Sequence, residues 1–501
     1  MTDSPNKLEN NDQSIWGKRY FSITIANLTV VGVAAFDGLA IIAALPNITE
    51  DLGNVSLTPW VLTSFLATSA LAAIVAGPII DAVGVRKTFQ ITGIWFLVTS
   101  AAAAVSPTLP LLIVSRALQG IGGGLVIAVA LAAVGIAYPP TLRPKAFAAN
   151  SMVWGALGLG GPALTAVLLG FGGWRFIFVV QLPITAIALY MGWNTLPDKD
   201  EKRPLRNLAF DYKGILFLAI AITSSLIAVT QIVTRWWVAV ALLAVTFVVA
   251  RAYWVHSGSY SQPVLERQHL TRFPFRLIHL TSGLVFLTGF AVDNYLPLYI
   301  QTARGRSESF AAFSVVYLTV GWTVAAFAAS KLLMYRKEEE VILGGSALMP
   351  GVIALAGFGV AFNWPVLVLF SVFFFVGVSI GFVSTSGLTL LQSQSKFSEM
   401  GRSNSAHQFV RTLAITYGVA AGGAILLAVV NHRTGDVEAV RNVLRGNERM
   451  VDVSTREAIG SGFAWIHAFS FAAALLSLGA AISLKRAGGH LRRPVGLASR
   501  E

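Results

Sequence analysis

Apolar stretches long enough to cross a bilayer alternate with short polar connections along nearly the whole chain. A spanning helix needs about 20 apolar residues, because the hydrocarbon core is about 30 Å thick and a helix rises about 1.5 Å per residue. Fourteen stretches have this length, which predicts an all-α integral membrane protein with fourteen transmembrane helices. The predicted spans are 21–46, 58–80, 88–106, 110–136, 147–170, 174–194, 213–232, 236–256, 277–301, 310–333, 340–361, 364–391, 405–430 and 462–484.

The distribution of lysine predicts the orientation. Every lysine falls in a terminus, in an even-numbered connection or at the end of a span next to one, and the first, third and fifth connections contain neither Lys nor Arg. The lysine-rich side should be cytoplasmic, which places both termini inside and the protein in the cell membrane. The connection 431–461 carries five arginines on the outer side and opposes this orientation weakly.

Composition agrees with a membrane protein and excludes several other classes. The chain is 55% hydrophobic and 12% charged, whereas soluble proteins are about 25% charged. Its net charge of +13 is best explained by topology and lipid headgroups, not by nucleic acid. There is no cysteine, and the seven histidines lack paired metal-ligand spacing, so we expect no thiol chemistry, metal site or cofactor. Residues 1–20 are polar and do not resemble a cleavable signal peptide.

The polar, proline-containing segment after residue 196 divides the chain into two halves. Two extra spans follow it, and we expect them to form an inserted hairpin outside any transport path. Short basic connections at 77–87 and 330–338 hold corresponding places in the two halves, as in transporters whose halves rock about a central site. The predicted domains are a cytoplasmic tail 1–20, a six-helix bundle 21–196, a linker with the hairpin 197–263, a second six-helix bundle 264–484 and a basic tail 485–501.

Several motifs resemble one family. Residues 115–124 read Ser-Arg-Ala-Leu-Gln-Gly-Ile-Gly-Gly-Gly and resemble the fourth-helix motif of the major facilitator superfamily. Residues 77–87 resemble its gating loop, and 36–46 resemble the first-helix signature of its fourteen-span drug:proton antiporters. Segments 181–183 and 295–301 are also similar to that branch. The resemblance implies a fold of two six-helix bundles plus a hairpin, with proton-coupled export by alternating access.

Two positions depart from these motifs. Ala82 stands where the gating loop usually has a basic residue, and Thr165 and Ala166 replace the paired glycines that end the fifth-helix antiporter motif. The sequence does not show whether this second change alters coupling. The helix keeps a thin packing face, which comprises Gly155, Gly158, Gly161 and Pro162.

The residues assigned to the gating loop are Gly77, Asp81, Gly84, Arg86 and Lys87. Asp81 is expected to cap a helix start and the bases to bridge to the other half, unless they are only topogenic charge.

Charged residues inside the spans are the best functional candidates, since each costs at least ~2.5–3.5 kcal/mol at a helix centre. Asp37 should lie ~13 Å deep and Arg116 ~9 Å deep from the outer side, so the two can pair. A carboxylate balanced between a nearby arginine and dehydration can carry a proton. The alternative is a permanent ion pair that only stiffens the bundle.

Asp293 is the corresponding acid of the second half, and we assign it to proton coupling together with Asp37 and Arg116. Its alternative is a hydrated position at the outer rim. Arg411 should lie only ~9 Å from the cytoplasmic side, where it can line the cavity or snorkel to the headgroups. An aromatic cavity with two acids suits amphipathic or cationic molecules. The cavity candidates are Phe36, Gln119, Met152, Trp154, Asn294, Tyr295 and Trp322.

These features predict a proton-coupled exporter of amphipathic or cationic small molecules, working as a monomer among membrane lipids. No phosphate-binding loop and no catalytic constellation is present, so neither an ATP-driven pump nor an enzyme is expected. Export or uptake of an endogenous lipid, siderophore or metabolite stays open, as does a non-transporting receptor or assembly factor on the same fold. Substrate, direction and proton stoichiometry are not encoded in any feature that we recognise.

Overall fold

The computed structural model describes residues 14–53, 57, 59–197, 211–233, 235–435 and 453–491, and within these ranges it contains helices and no strands. The α-helices are α1 Lys18–Leu52, α2 Pro59–Val83, α3 Val85–Ala104, α4 Leu109–Ala137, α5 Arg143–Gly172, α6 Arg175–Gly192, α7 Tyr212–Gln231, α8 Trp236–Ser259, α9 Arg267–Thr271, α10 Phe275–Asp293, α11 Leu296–Thr302, α12 Glu308–Leu332, α13 Glu338–Ala361, α14 Val366–Gln394, α15 Met400–Thr434 and α16 Val453–Arg486.

Each predicted span coincides with helical structure, although not all of them are equally suited to cross a membrane. Twelve spans in the described residues are long and apolar enough, and α5 makes a thirteenth if its two segments, which meet at 58°, count as one. The helix α3 is not among them, and it carries Arg86 and Lys87 in its first turn. The all-α fold is therefore confirmed, and the length and apolarity of the helices give twelve or thirteen spans.

Helix boundaries differ from the prediction at three places. The predicted span 277–301 is divided into α10 and α11 by a turn at Asn294 and Tyr295, and Pro297 lies in the first turn of α11. Proline suits a first turn because its missing N–H would have no partner there. Helix α15 begins at Met400 and α16 at Val453, both earlier than their apolar cores.

The chain forms two compact units. The first contains α1–α6 together with residues 388–409, and the second contains α7–α13, α14 up to Gly387, and the chain from Val410 to Leu491. The end of α14 and the start of α15 thus belong to the first unit, although they lie in the second half of the sequence. The domain boundaries given above remain predictions.

The glycine-rich run of α4 allows close helix packing in the first unit. A Cβ atom on Gly120 or Gly124 would lie 2.9 Å from the Cα atom of Phe65 or Ser69 on α2. The Thr68 hydroxyl on α2 donates a hydrogen bond of 2.8 Å to the Ala117 carbonyl on α4. The motif therefore holds α4 against α2, and this contact fixes the position of Arg116.

The second unit repeats this arrangement. A Cβ atom on Gly377 of α14 would lie 2.8 Å from the Trp322 backbone nitrogen on α12, and one on Gly321 of α12 would lie 3.2 Å from the Phe374 Cα atom on α14. Helices α2 and α4 are the second and fourth of the first half, and α12 and α14 hold the same places in the second half. This shared packing supports an internal repeat.

Helices α7 and α8 lie at the periphery of the second unit. In their most apolar stretches, 22% and 11% of the residues are buried, compared with 72% in α4. Asp211 joins the start of α7 to the end of α8. Its carboxylate contacts His256 Nε2 in the last turn of α8 at 2.5 Å and accepts a hydrogen bond of 3.1 Å from the Val264 N–H.

Helix α5 bends at the sequence predicted to form its packing face. Gly155 and Gly161 are buried and Gly158 is half-buried. Gly160 is exposed, and a Cβ atom there would meet nothing within 4 Å. The two segments of the helix meet at Pro162, where the proline has no N–H to complete the helical ladder.

Candidate functional site

Asp37 of α1 and Arg116 of α4 form an ion pair in the interior of the first unit. Arg116 Nη1 donates to both carboxylate oxygens of Asp37, at 2.9 and 2.8 Å, and both side chains are 0% exposed. The direct contact agrees with the similar depths that helical rise predicts for the two residues. Removing one partner of a buried pair costs about 3–5 kcal/mol, so each charge depends on the other.

Three neutral polar side chains complete a network around this pair. Gln119 Oε1 accepts from Arg116 Nη1 at 2.6 Å, and Gln181 Nε2 donates to Asp37 Oδ1 at 3.0 Å. Gln119 Nε2 donates to the Ser100 hydroxyl at 2.8 Å and to Gln181 Oε1 at 3.2 Å. The network thus connects α1, α3, α4 and α6, so a change at Asp37 is felt by four helices.

The guanidinium of Arg116 is also held by apolar and backbone groups. Its Cζ atom lies 4.2 Å from the ring centre of Phe65 and 5.7 Å from that of Phe178, and its Nε donates to the Val61 carbonyl at 3.2 Å. Nη2 has no hydrogen-bond partner among the described residues. Aromatic faces attract the cation without neutralising it, so these contacts hold Arg116 in addition to the carboxylate of Asp37.

Two members of this network, Gln181 and Ser100, have no assigned role in the sequence-based prediction. Gln181 lies within a segment similar to the family, and Ser100 lies in none of the motifs. An amide inside an apolar span is unusual in the same way as a charge, because an unsatisfied polar group in hydrocarbon is costly. The pair Gln119 and Gln181 in α4 and α6 was therefore a usable signal.

The predicted cavity residues of the first half are in different environments. Phe36 is buried in an apolar cluster with Ala40 and Ile41, and Gln119 belongs to the ion-pair network. Met152 and Trp154 on α5 are 39% and 38% exposed.

Asp81 caps the start of α15. Its Oδ1 accepts from the Gly401 N–H at 2.8 Å and its Oδ2 from the Arg402 N–H at 3.1 Å. A carboxylate at a helix N-terminus satisfies free N–H groups and meets the positive end of the helix dipole. A Cβ atom on Gly77 would lie 2.8 Å from the Arg402 Cα atom, so glycine is needed for this approach.

The bases of the same loop make different contacts. Gly84 has φ +86°, a conformation that glycine adopts readily, and it turns the chain into α3. Arg86 donates to the Leu196 carbonyl at 2.6 Å and to the Asn194 carbonyl at 3.0 Å, beyond the end of α6, while Lys87 is exposed. The acid of the loop therefore contacts residues 401 and 402, whereas Arg86 binds carbonyls within the first half.

The second half places its acid differently. Asp293 is the last residue of α10 and is buried, and its Oδ1 has no hydrogen-bond partner in the part of the chain that the structure describes. Asn294 is exposed. The Tyr295 hydroxyl donates to the Val419 carbonyl at 2.8 Å, so this ring packs on α15.

Trp322 and Arg411 border one aromatic cluster in the second unit. Trp322 lies edge-on to Phe286, with ring centres 5.6 Å apart, and to Phe290, with ring centres 6.5 Å apart. The Arg411 Cζ atom lies 4.3 Å from the Phe286 ring centre. Because α15 begins at Met400, Arg411 lies about 16 Å along the helix axis from the first residue of α15. Phe286 is fully buried, so the Arg411 side chain is directed into the unit instead of snorkelling to headgroups.

The described residues contain no group of three or more His, Cys, Asp or Glu side chains that could hold a metal ion.

Three features are typical of a multi-pass membrane transporter. They are the long apolar helices, the close helix packing at glycines that recurs within each unit, and the buried ion pair inside an apolar span. The chain belongs to the Major Facilitator Superfamily, whose family model matches residues 28–419. It is a transporter and not an enzyme.

Relatives and a solved structure are similar to the chain at low identity. The multidrug transporter MdtP of Bacillus subtilis is 24% identical over 81% of this chain and 74% of its own. A probable multidrug-efflux transporter of Mycobacterium tuberculosis, Rv1634, is 26% identical over 85% of this chain and 91% of its own. A bacterial homologue of the iron transporter ferroportin has a TM-score of 0.63 at 14% identity, over 93% of this chain and 99% of its own, and this likeness concerns the fold alone.

Proposed function

We propose that the protein is a secondary active transporter that exports amphipathic small molecules in exchange for protons. The observation that carries this proposal is the fully buried pair of Asp37 and Arg116 with its network of Gln119, Gln181 and Ser100. Two relatives are named as multidrug transporters, and these names support drug-like compounds as the substrate class. No ATP-binding motif is available as another energy source.

The proton acts on the ion pair. While Asp37 is charged, its attraction to Arg116 holds α1 to α4. Protonation removes one charge of the pair, and Arg116 keeps only Gln119, the Val61 carbonyl and two aromatic faces. An element with two arrangements of similar free energy can couple a proton to a conformational change.

Alternating access needs a contact that forms in one state and breaks in the other, and the cap of Asp81 on α15 has the required character. It includes two hydrogen bonds to backbone N–H groups and a 4.0 Å ion pair with Arg402 Nε, and such contacts are exchanged for water at modest cost. We assign the gating role to Asp81, with Gly77 permitting the approach and Arg86 fixing the loop to the end of α6. Asp293, buried without a partner for Oδ1, is the candidate for a second proton carrier.

The transporter has fourteen spans in this proposal. Helix α3 has 20 residues, enough for about 30 Å, and its charged residues lie in its first turn. The bend in α5 does not prevent a crossing, because neighbouring helices can satisfy the freed backbone groups. Both termini are then cytoplasmic, as the lysines predict, and α7 and α8 form a peripheral hairpin. The ion pair lies within one chain, so a monomer suffices.

Proton movement on substrate binding tests this function. Adding ethidium or 2-naphthoate to the purified protein in weakly buffered detergent should change the pH reported by a soluble indicator dye. The change should be much smaller in Asp37→Asn, which has the same shape but cannot release a proton. A wild-type protein that binds either compound without moving protons would contradict proton coupling.

A further inference from the structure

Arg411 is an intramembrane cation without a counter-ion. It makes no hydrogen bond or ion pair with any described residue, and its Nε is buried without a partner. Its guanidinium rests on the Phe286 ring, 4.3 Å from the ring centre. A cation–π contact of this kind leaves all five N–H donors of the guanidinium unused.

The first unit shows how this protein satisfies a buried arginine. Arg116 also lies on a phenylalanine ring, at 4.2 Å, and it has in addition two carboxylate oxygens, an amide oxygen and a backbone carbonyl. Arg411 has the aromatic face and none of the acceptors. What is missing at Arg411, compared with Arg116, is a carboxylate.

A second unused donor borders the same ring. The Trp322 indole Nε1 is buried without a hydrogen-bond partner, and the Trp322 and Phe286 ring centres are 5.6 Å apart. Leaving a buried donor unsatisfied costs about 1–3 kcal/mol, and more for a charged group. Both unused donors belong to side chains that contact the Phe286 ring, so one acceptor placed beside this ring could satisfy both.

Among the described residues, no acid forms an ion pair with Arg411, and the acid on the same helix as Phe286 is Asp293. Phe286, Phe290 and Asp293 follow the spacing that puts residues on one face of α10. Asp293 is nevertheless seven residues beyond Phe286, which is about 10 Å along the helix axis. An ion pair requires contact within about 4 Å, and Oδ1 of Asp293 has no hydrogen-bond partner among the described residues, so this acid does not pair with Arg411.

We infer that the second unit contains a recognition site for an amphipathic carboxylate. The planar guanidinium of Arg411 binds the carboxylate through paired N–H donors, and the Trp322 indole N–H donates to the same molecule. The partly buried rings of Phe290 and Trp322 pack against its apolar body, and the fully buried Phe286 ring supports the guanidinium from beneath. This inference rests on the proposed transport function and names the charge of a substrate class, since a positive site repels the cationic molecules that the sequence alone also allows.

Equilibrium binding of three matched ligands to the purified full-length protein tests the site. The ligands are 2-naphthoate, 2-naphthamide and 2-naphthylmethylammonium, which share one ring system and carry negative, zero and positive charge. Calorimetry without a pH gradient should show that the wild-type protein binds 2-naphthoate about 10-fold or more tightly than either of the others.

Substitutions then assign the effect to named donors. Arg411→Gln should weaken 2-naphthoate about 10- to 100-fold and leave 2-naphthamide unchanged, because charge-assisted hydrogen bonds are lost. Trp322→Phe keeps an aromatic ring without the N–H and should weaken 2-naphthoate about 3- to 10-fold. The control is Arg433→Gln, which removes the same charge from the exposed last turn of the same helix and should have no effect.

The inference is overturned if 2-naphthamide or the ammonium compound binds the wild-type protein as tightly as 2-naphthoate, or if Arg411→Gln weakens all three ligands equally. If Arg411→Gln does not fold, the relative affinities of the wild-type protein for the three ligands and the effect of Trp322→Phe on 2-naphthoate binding still test the inference. Gradient-driven export of ethidium by a protein that does not prefer 2-naphthoate would reject the site and keep the proposed function. Preferred binding of 2-naphthoate by a protein that shows no gradient-driven flux would keep the recognition site and reject the proposed function.

Discussion

At the scale of single residues, the charged side chains of this transporter differ mainly in what satisfies them. Arg116 has a carboxylate, Arg86 has backbone carbonyls and Arg411 has only an aromatic face. A buried charge is costly unless the protein or a ligand supplies an opposite charge. The roles that we propose for these arginines, proton coupling for Arg116, loop fixation for Arg86 and ligand recognition for Arg411, follow this difference in partners.

Asp51, at the C-terminal end of α1, offers a test of how an ion-pair partner acts on a carboxylate. Its carboxylate accepts from Arg175 Nη1 at 2.5 Å and from Trp174 Nε1 at 3.0 Å. The hydrogen bond from Arg175, followed by that from Trp174, holds the pKa of Asp51 below its ordinary value. Its stabilising effect is therefore complete above the unfolded pKa of about 3.9 and is lost as the pH falls through the lower folded value.

Asp51→Asn should lower the melting temperature slightly at pH 7, and this difference from the wild type should shrink as the pH falls below about 4. The readout is thermal unfolding in detergent across this pH range. Glu50→Gln, at an exposed neighbour without an ion pair among the described residues, serves as the control. An Asp51→Asn difference that is the same at pH 3 and pH 7 would show that the carboxylate charge is irrelevant.

At the scale of secondary-structure elements, the periodicity of the apolar residues predicted where helices lie, but not all of their ends. Helix α15 extends to Met400 because Asp81, 320 positions away in sequence, caps its first N–H groups. Residues 296–302 form a separate helix, α11, because the chain turns at Asn294 and Tyr295. Contacts between distant segments and local turns leave no trace in hydropathy.

The peripheral hairpin is the element whose loss we expect to be tolerated. Helices α7 and α8 bury little of their surface, and one contact with the rest of their unit is the hydrogen bond between Ser225 and the Tyr417 hydroxyl. Deleting residues 205–262 with a suitable joining loop should leave measurable substrate binding in the folded protein. Tyr417→Phe, which removes only that hydrogen bond, separates the effect of one contact from that of the hairpin. A folded deletion protein that binds no substrate would show that the hairpin helps to build the site.

At the scale of the whole molecule, the charge distribution predicts a topology that helix geometry alone does not test. An epitope tag at residue 5 or 495 should be cytoplasmic, and one near residue 438 should be external, because lysine-rich connections stay inside. All three positions lie outside the described residues. Labelling of the residue 5 tag by an impermeant reagent in intact cells would contradict this orientation.

Family membership and the helical fold could be predicted from the sequence because spans and motifs are local signals. The contact of Asp37 with Arg116 could also be predicted, since helical rise gives depth. The part played by Gln181 and Ser100 could not, because depth does not show which way a side chain points. The same limit applies to Arg411, whose position over Phe286 depends on how α10 and α15 pack.

Substrate flux by the Asp37→Asn protein in proteoliposomes, with and without an imposed pH gradient, tests the central claim of proton coupling most directly. We predict that this substitution abolishes gradient-driven accumulation and leaves downhill exchange partly intact, because the asparagine keeps the shape but cannot cycle a proton. Arg116→Ala should be worse in both assays, since it also leaves a buried carboxylate without its partner. Full gradient-driven flux by Asp37→Asn would contradict the claim and make the ion pair a structural element.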